Sequence, residues 1–245
     1  MRRALGLACA AFAPFSAALA IESAAMPAFS TAAPGAALPA GWRSITLPGR
    51  KAPEFALVAE EGATVLRIRA VDAAGSVAYR FAGRDGARGP VSWRWKVDHA
   101  LARSRFGRKD GDDFAARFYV TFDVPMESIP FVARMKLRLA RLVYGADLPA
   151  AAICYVWDNR EPAGTSAWNP YSDRVRMVVL ESGNARAGQW IEESRDVAAD
   201  YRAAFGLAAG SPAPPIDGVA LSADTDQTGE SVTAWFGDVR LGTSR

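Results

Sequence analysis

Two stretches of this chain bring oxygen ligands close together. Asp110-Gly111-Asp112-Asp113 sets three carboxylates within four residues. Such neighbours repel one another unless water, a cation or a metal ion intervenes. Asp224-Thr225-Asp226-Gln227-Thr228-Gly229 carries oxygen-bearing side chains at its first, third and fifth positions and glycine at its sixth. A calcium loop of the EF-hand type opens the same way, but its twelfth position is a glutamate, and here that position is Trp235. A sharp turn between strands accounts for the segment more simply. The metal expectation is a structural calcium on Asp224, Asp226 and Asp238.

The aromatic residues offer a second kind of chemistry. Trp93, Trp95, Tyr119, Tyr155, Trp157, Trp168, Tyr171 and Trp235 recur on or beside alternating stretches. Aromatic faces stack on sugar rings, and neighbouring Arg, Asn and Asp bind hydroxyls or carboxylates. Core packing uses the same residues. Trp93 and Trp95 share a face with Val91 and Val97, which assigns them to the core. The expected ligand site is Arg117, Tyr119, Tyr155, Trp157, Trp168, Asn169 and Arg176. In it Tyr155, Trp157 and Trp168 stack on a carbohydrate or other polar polymer. Arg117, Asn169 and Arg176 hydrogen-bond it.

Catalytic residue types are scarce, and no catalytic set is assigned. His99 is the one histidine, and it sits in a charged loop. No H-E-x-x-H, G-x-S-x-G, C-x-x-C, P-loop or G-x-G-x-x-G pattern occurs. This points to a binding protein rather than an enzyme. The alternative is a lyase or hydrolase acting on polysaccharide. Asp112 and Asp113 are adjacent and would face opposite ways, which suits glycoside hydrolysis poorly. A lyase could use Tyr119 or Tyr155 as base, with Arg117 neutralising a uronate. A third reading is a structural or partner-binding envelope protein.

The elements that must hold these residues are mostly short strands. Thr64–Ala70, Val91–Val97 and Phe114–Phe122 alternate apolar and polar residues. Ile153–Trp157, Arg174–Glu181, Gly218–Ala223 and Ser231–Leu241 continue the series, separated by Gly, Pro, Asn and Asp clusters. The pattern predicts a mainly β protein, a jelly-roll-like β-sandwich with one or two short helical insertions. One helix is Phe131–Tyr144, apolar at Phe131, Val132, Met135, Leu139, Leu142 and Val143. Its other face carries Arg134, Lys136, Arg138 and Arg141. The first expectation packs the apolar face on the sandwich with the cations in water. A peripheral contact of this basic helix, 131–144, with the anionic envelope is the second. The other helix is Val197–Phe205, with Asp196 as N-cap and Gly206 as its stop.

The first residues read as an address. Arg2 and Arg3 precede an uncharged run from Ala4, and Ala18-Leu19-Ala20 fits a cleavage site. Residues 1–20 are therefore expected to be a signal peptide. Residues 21–40 are expected to be a flexible Ala/Pro-rich leader, and 41–245 a single sandwich domain. The 245 residues are 50% hydrophobic and 22% charged, as a globular protein requires. Cleavage removes two arginines and no acid, which lowers the net charge from +3 to +1. That balance argues against nucleic acid as a partner. It also removes Cys9 and leaves Cys154 without an internal disulfide partner. No transmembrane span is expected in the mature chain, and the expected location is periplasmic or secreted.

The chain also resembles a known family. Asp112-Asp113-Phe114-Ala115-Ala116-Arg117, Tyr155-Val156-Trp157, Asn169-Pro170-Tyr171 and Glu181-Ser182-Gly183 carry the likeness. So do Asp200-Tyr201, Phe205-Gly206, Asp224-Thr225-Asp226 and Phe236-Gly237-Asp238. In this order they resemble the bacterial secreted family catalogued as domain of unknown function 3047. The resemblance implies export and supplies no activity. Val232–Leu241, with Asp238, is also similar to jelly-roll carbohydrate-binding modules, in which such an aspartate often helps hold calcium.

Overall fold

The computed structural model describes residues 26–81, 89–144 and 149–242. The expected signal peptide, 1–20, lies outside the described residues. In chain order the strands are β1 (Trp42–Thr46), β2 (Glu54–Glu60), β3 (Ala63–Val71), β4 (Gly75–Arg80) and β5 (Val91–Val97). Next come β6 (Phe114–Phe122), helix α1 (Phe131–Tyr144), β7 (Ala151–Asp158), β8 (Ser166–Asn169) and β9 (Ser172–Ser182). The chain ends with β10 (Ile191–Arg195), helix α2 (Val197–Phe205), β11 (Ile216–Asp224), β12 (Ser231–Phe236) and β13 (Arg240–Leu241).

The strands form two sheets, ordered β1-β4-β11-β6-β7-β9-β8 and β10-β5-β12-β3-β2, with β13 paired to β5. Pairing is antiparallel except between β7 and β9. The product is the β-sandwich with helical insertions that the alternation predicts. Its core fills the space between the sheets. Leu66, Ile68, Trp93 and Trp95 come from the six-stranded sheet; Phe118, Tyr155, Trp157 and Leu221 come from the seven-stranded one. Trp93 stacks on Phe118 at 4.1 Å between ring centroids. A second, smaller cluster of Phe114, Cys154, Val156, Met177 and Val179 covers part of the outer face of the seven-stranded sheet.

Helix α2 is delimited as its sequence predicts. The Asp196 side chain accepts a hydrogen bond from the Ala199 N–H at 2.9 Å. Gly206 closes the helix at φ +67°, a conformation that costs glycine little, and its N–H donates to the Arg202 carbonyl.

Two expectations are corrected. Residues 26–40 do not trail from the domain as a flexible leader. Phe29 opens a short 3-10 turn, is fully buried, and packs on Trp42 at 4.7 Å. Burying this ring removes apolar area from water and helps tie the segment down, beside the hydrogen bond from Trp42 Nε1 to the Pro27 carbonyl. Helix α1 forms where predicted, but its orientation is inverted. Phe131, Val132, Met135, Leu139 and Leu142 point to solvent, whereas Ala133 and Leu137 touch the core. The narrow inner strip consists of small or single apolar residues, so the wide apolar stripe is left outside.

Candidate functional site

The expected ligand residues divide between the two faces of one sheet. Strand β6 pairs with β7 so that Phe118 lies opposite Tyr155 and Ala116 opposite Trp157. All four therefore face inward. Tyr155 and Trp157 are buried core residues, not stacking platforms. The Tyr155 hydroxyl donates to Asp200 at 2.5 Å, and Trp157 Nε1 donates to the Gly183 carbonyl at 3.0 Å. Trp168 and Arg176 also turn inward, at the sheet edge. The Arg176 guanidinium lies over the Trp168 ring at 5.2 Å, and Trp168 meets Phe205 of α2 at 5.4 Å. Arg117, Tyr119 and Asn169 lie toward the opposite face. No single groove gathers the seven residues.

Arg117 belongs to a buried charge network instead. Its Nε and Nη2 donate to the two oxygens of Asp224 at 2.8 and 2.6 Å. Nη2 also donates to the Asp112 carbonyl. Asn169 donates to the Asp112 carboxylate at 3.0 Å. Asp113 is fully buried, and its Oδ2 accepts from the N–H groups of Gln227 and Thr228. Asp226 pairs with Arg50 at 3.1 Å. Burial pushes the Asp224 carboxyl up to about 7, against the pull of Arg117, and Asp113 is also raised by burial. The Arg117 guanidinium stays charged: its carboxylate neighbours raise it despite burial.

One oxygen each of Asp113, Asp224 and Asp226 lie within 4.8 Å of one another. These hard donors are of the type calcium takes. Asp238, the third expected ligand, is elsewhere. Its carboxylate accepts from the backbone N–H and the hydroxyl of Ser30 at 3.0 and 2.6 Å. The expected metal set is thus split, and Asp113 takes the place given to Asp238. The sequence neighbourhood Asp112-Asp113 was visible; its meeting with Asp224 depends on β6 lying beside β11.

The candidate bases are unsuited to proton abstraction. Burial raises both Tyr119 and Tyr155 above the ordinary phenol range, so both stay protonated. Burial likewise pushes the Cys154 thiol up to about 12.

A better-built surface lies on the outside of the six-stranded sheet. Trp93 and Trp95 of β5 face inward, so Ser92, Arg94 and Lys96 face away from the core. On β12, Val232, Ala234 and Phe236 are buried, which turns Trp235 outward. Trp235 sits directly opposite Lys96 in the β12–β5 register. Trp190 immediately precedes β10, on the far side of β5. The Lys96 ammonium lies between the two indoles, 5.1 Å from Trp190 and 5.0 Å from Trp235. Arg94 covers Trp190 at 4.6 Å. Lys96 is also paired with Glu60. With β5 between them, the two indoles are separated by two strand spacings, about 10 Å.

Beside this row is a cleft of about 600 Å³. It forms because β12 stops at Phe236, and the chain passes through Gly237 before rejoining β5 as β13. Gly237 makes this crossing under Arg94: a Cβ there would lie 2.5 Å from Arg94 Nε. Ser30, Ser92, Arg94, Glu192, Asp238 and Arg240 line the cleft with hydroxyls, carboxylates and guanidinium groups. Neither tryptophan is among the expected ligand residues; Trp235 stands only in the series of recurring aromatics. Trp190 lies just outside a strand, where alternation gives no signal.

A family model described as "Protein of unknown function (DUF3047)" matches residues 40–240. No curated protein matches the chain. A solved structure titled "Cellulose induced protein, Cip1" is similar at 16% sequence identity, covering 83% of this chain and 92% of that chain, with a TM-score of 0.36.

Proposed function

The chain belongs to the DUF3047 family, and we propose that it is an exported, non-catalytic binding protein for a carbohydrate. The observation that carries this reading is the Trp190–Lys96–Trp235 row beside the polar cleft. Indole faces take the apolar C–H face of a sugar ring, while a few convergent polar groups fix its hydroxyls. Cleft and row together offer both. Arg94 and Arg240, which line the cleft, further suit a ligand with acidic groups. The reading also assigns a structural calcium to Asp113, Asp224 and Asp226. Export rests on the basic start, apolar run and Ala18-Leu19-Ala20 of the N-terminus.

The test is calorimetry on polysaccharides selected from a glycan array. Trp235→Ala is expected to weaken binding at least about tenfold, as loss of a central aromatic anchor does. Arg94→Ala is expected to weaken it as well, with melting temperatures reported for both variants. Absence of binding to every neutral and acidic polysaccharide tried, with and without calcium, would end this reading.

A further inference from the structure

We propose that helix α1 docks the protein on an anionic lipid bilayer. Phe131, Val132, Met135, Leu139 and Leu142 are exposed to 70%, 65%, 47%, 65% and 83%. At about 100° per residue, these five positions span only about 100° of the helix circumference. They form a continuous apolar stripe that faces away from the sandwich. Elsewhere among the described residues, exposed large apolar side chains are scattered singly, at Leu47, Tyr171 and Leu207. Single exposed apolar residues are ordinary; a ridge of five on one helix is not.

Charge identifies the occupant. Lys136 borders the stripe on one side, and Arg134, Arg138 and Arg141 border the other. The helix Phe131–Tyr144 holds no acidic residue. An apolar stripe flanked by cations on both sides is the pattern of a helix lying in a membrane interface. The stripe enters the acyl boundary, and the long basic side chains reach the headgroups. Ala133 and Leu137 meanwhile hold the opposite side of the helix to the protein. No helix among the described residues is long and apolar enough to cross a membrane. The contact is therefore peripheral, and it is separate from the tryptophan row.

The experiment is co-sedimentation of the full chain with two kinds of vesicle. One is phosphatidylcholine alone; the other is phosphatidylcholine mixed with phosphatidylglycerol. Binding is expected only, or far more strongly, with the anionic vesicles, and added salt should weaken it. Leu139→Ser with Leu142→Ser is expected to lower it at least about tenfold, since two exposed leucines lose their burial in lipid. Lys136→Gln with Arg138→Gln should lower it as well and reduce the salt dependence, with Arg134 and Arg141 still in place. Comparison within the full chain keeps any contribution of the N-terminal residues constant.

A second measurement does not depend on how much protein sediments. Cys154 is buried, so in a full chain carrying Cys9→Ser, Leu142→Cys can be labelled selectively with a nitroxide. On anionic vesicles the label is expected to become accessible to oxygen and protected from a water-soluble relaxant. Equal sedimentation with both vesicles, or a label that stays in water, would overturn the proposal. So would a serine pair that turns a dimer into a monomer while leaving vesicle binding unchanged, which would make the stripe a contact between two copies.

Discussion

Arg117 shows how one side chain can draw distant segments together. Its guanidinium binds Asp224 at 2.6 Å and approaches the Asp112 carboxylate at 3.5 Å. With Asp113 and Asp226, four carboxylates share this neighbourhood, against the cations Arg117 and Arg50. A divalent ion would balance the excess, and protons would do so less completely. Millimolar calcium is therefore expected to raise the melting temperature, and Asp226→Asn to reduce that rise. An unchanged melting temperature on adding calcium or a chelator would remove the metal from the account. Where burial alternates, as in β5, the sequence assigns Trp93 and Trp95 to the core face correctly. In β7, the periodicity itself fails. Every residue of Ala151–Asp158 is buried, because the main core lies on one side and the Phe114–Met177 cluster covers much of the other. Alternation could not say that Tyr155 and Trp157 point inward.

Among the elements, all but one of the interior strands were legible and the edges were not. β3, β5, β6, β7, β9, β11 and β12 were marked by their patterns. Of the unmarked strands, β1, β2, β8 and β10 are the four at the ends of the two sheet orders, and β4 lies inside one, between β1 and β11. Edge strands have one unpaired side and looser burial: Ile191 is the one buried residue of β10, and Trp42 the one of β1. The burial order is weak there, so the sequence signal is weak too. The edge strand β10 also carries a titrating group. Glu193 sits opposite inward-facing Trp93, and burial, aided by the charge of Glu181, pushes its carboxyl up to about 7. The folded state thus keeps a proton that the unfolded chain, with a carboxyl near 4.5, releases. The stability linked to this group is fully present below the unfolded value and is lost as pH rises through about 7. Glu193→Gln is expected to gain stability relative to the native chain between about pH 5 and about pH 8. Thermal melts at both values check this; an equal difference at the two would show that Glu193 does not titrate on folding.

At the scale of the molecule, the sandwich was legible because thirteen described strands leave few other ways to bury an apolar face. The attachment of residues 26–40 was not, because Ala, Pro, Ser and Thr give no periodic signal. Phe29 carries it together with the Ser30–Asp238 hydrogen bonds, the Trp42 Nε1 donation to the Pro27 carbonyl and the Gly35 N–H donation to the Leu57 carbonyl. Phe29→Ala is expected to cost about 3–5 kcal/mol, the usual loss for a buried aromatic. Denaturant titration measures it, and a change within about 0.5 kcal/mol would mean that the segment behaves as a surface appendage.

The Ser30–Asp238 hydrogen bonds join positions 208 apart in the chain. Contacts of such sequence separation are slow to form, because most of the chain must first be brought into register. A chain crossing a membrane with its N-terminus leading would deliver Phe29 and Ser30 early and Asp238 among the last. One wall of the cleft then waits for the other. On the proposed reading, the cleft would become competent to bind only after nearly the whole chain has been delivered, since Asp238 and Arg240 line it.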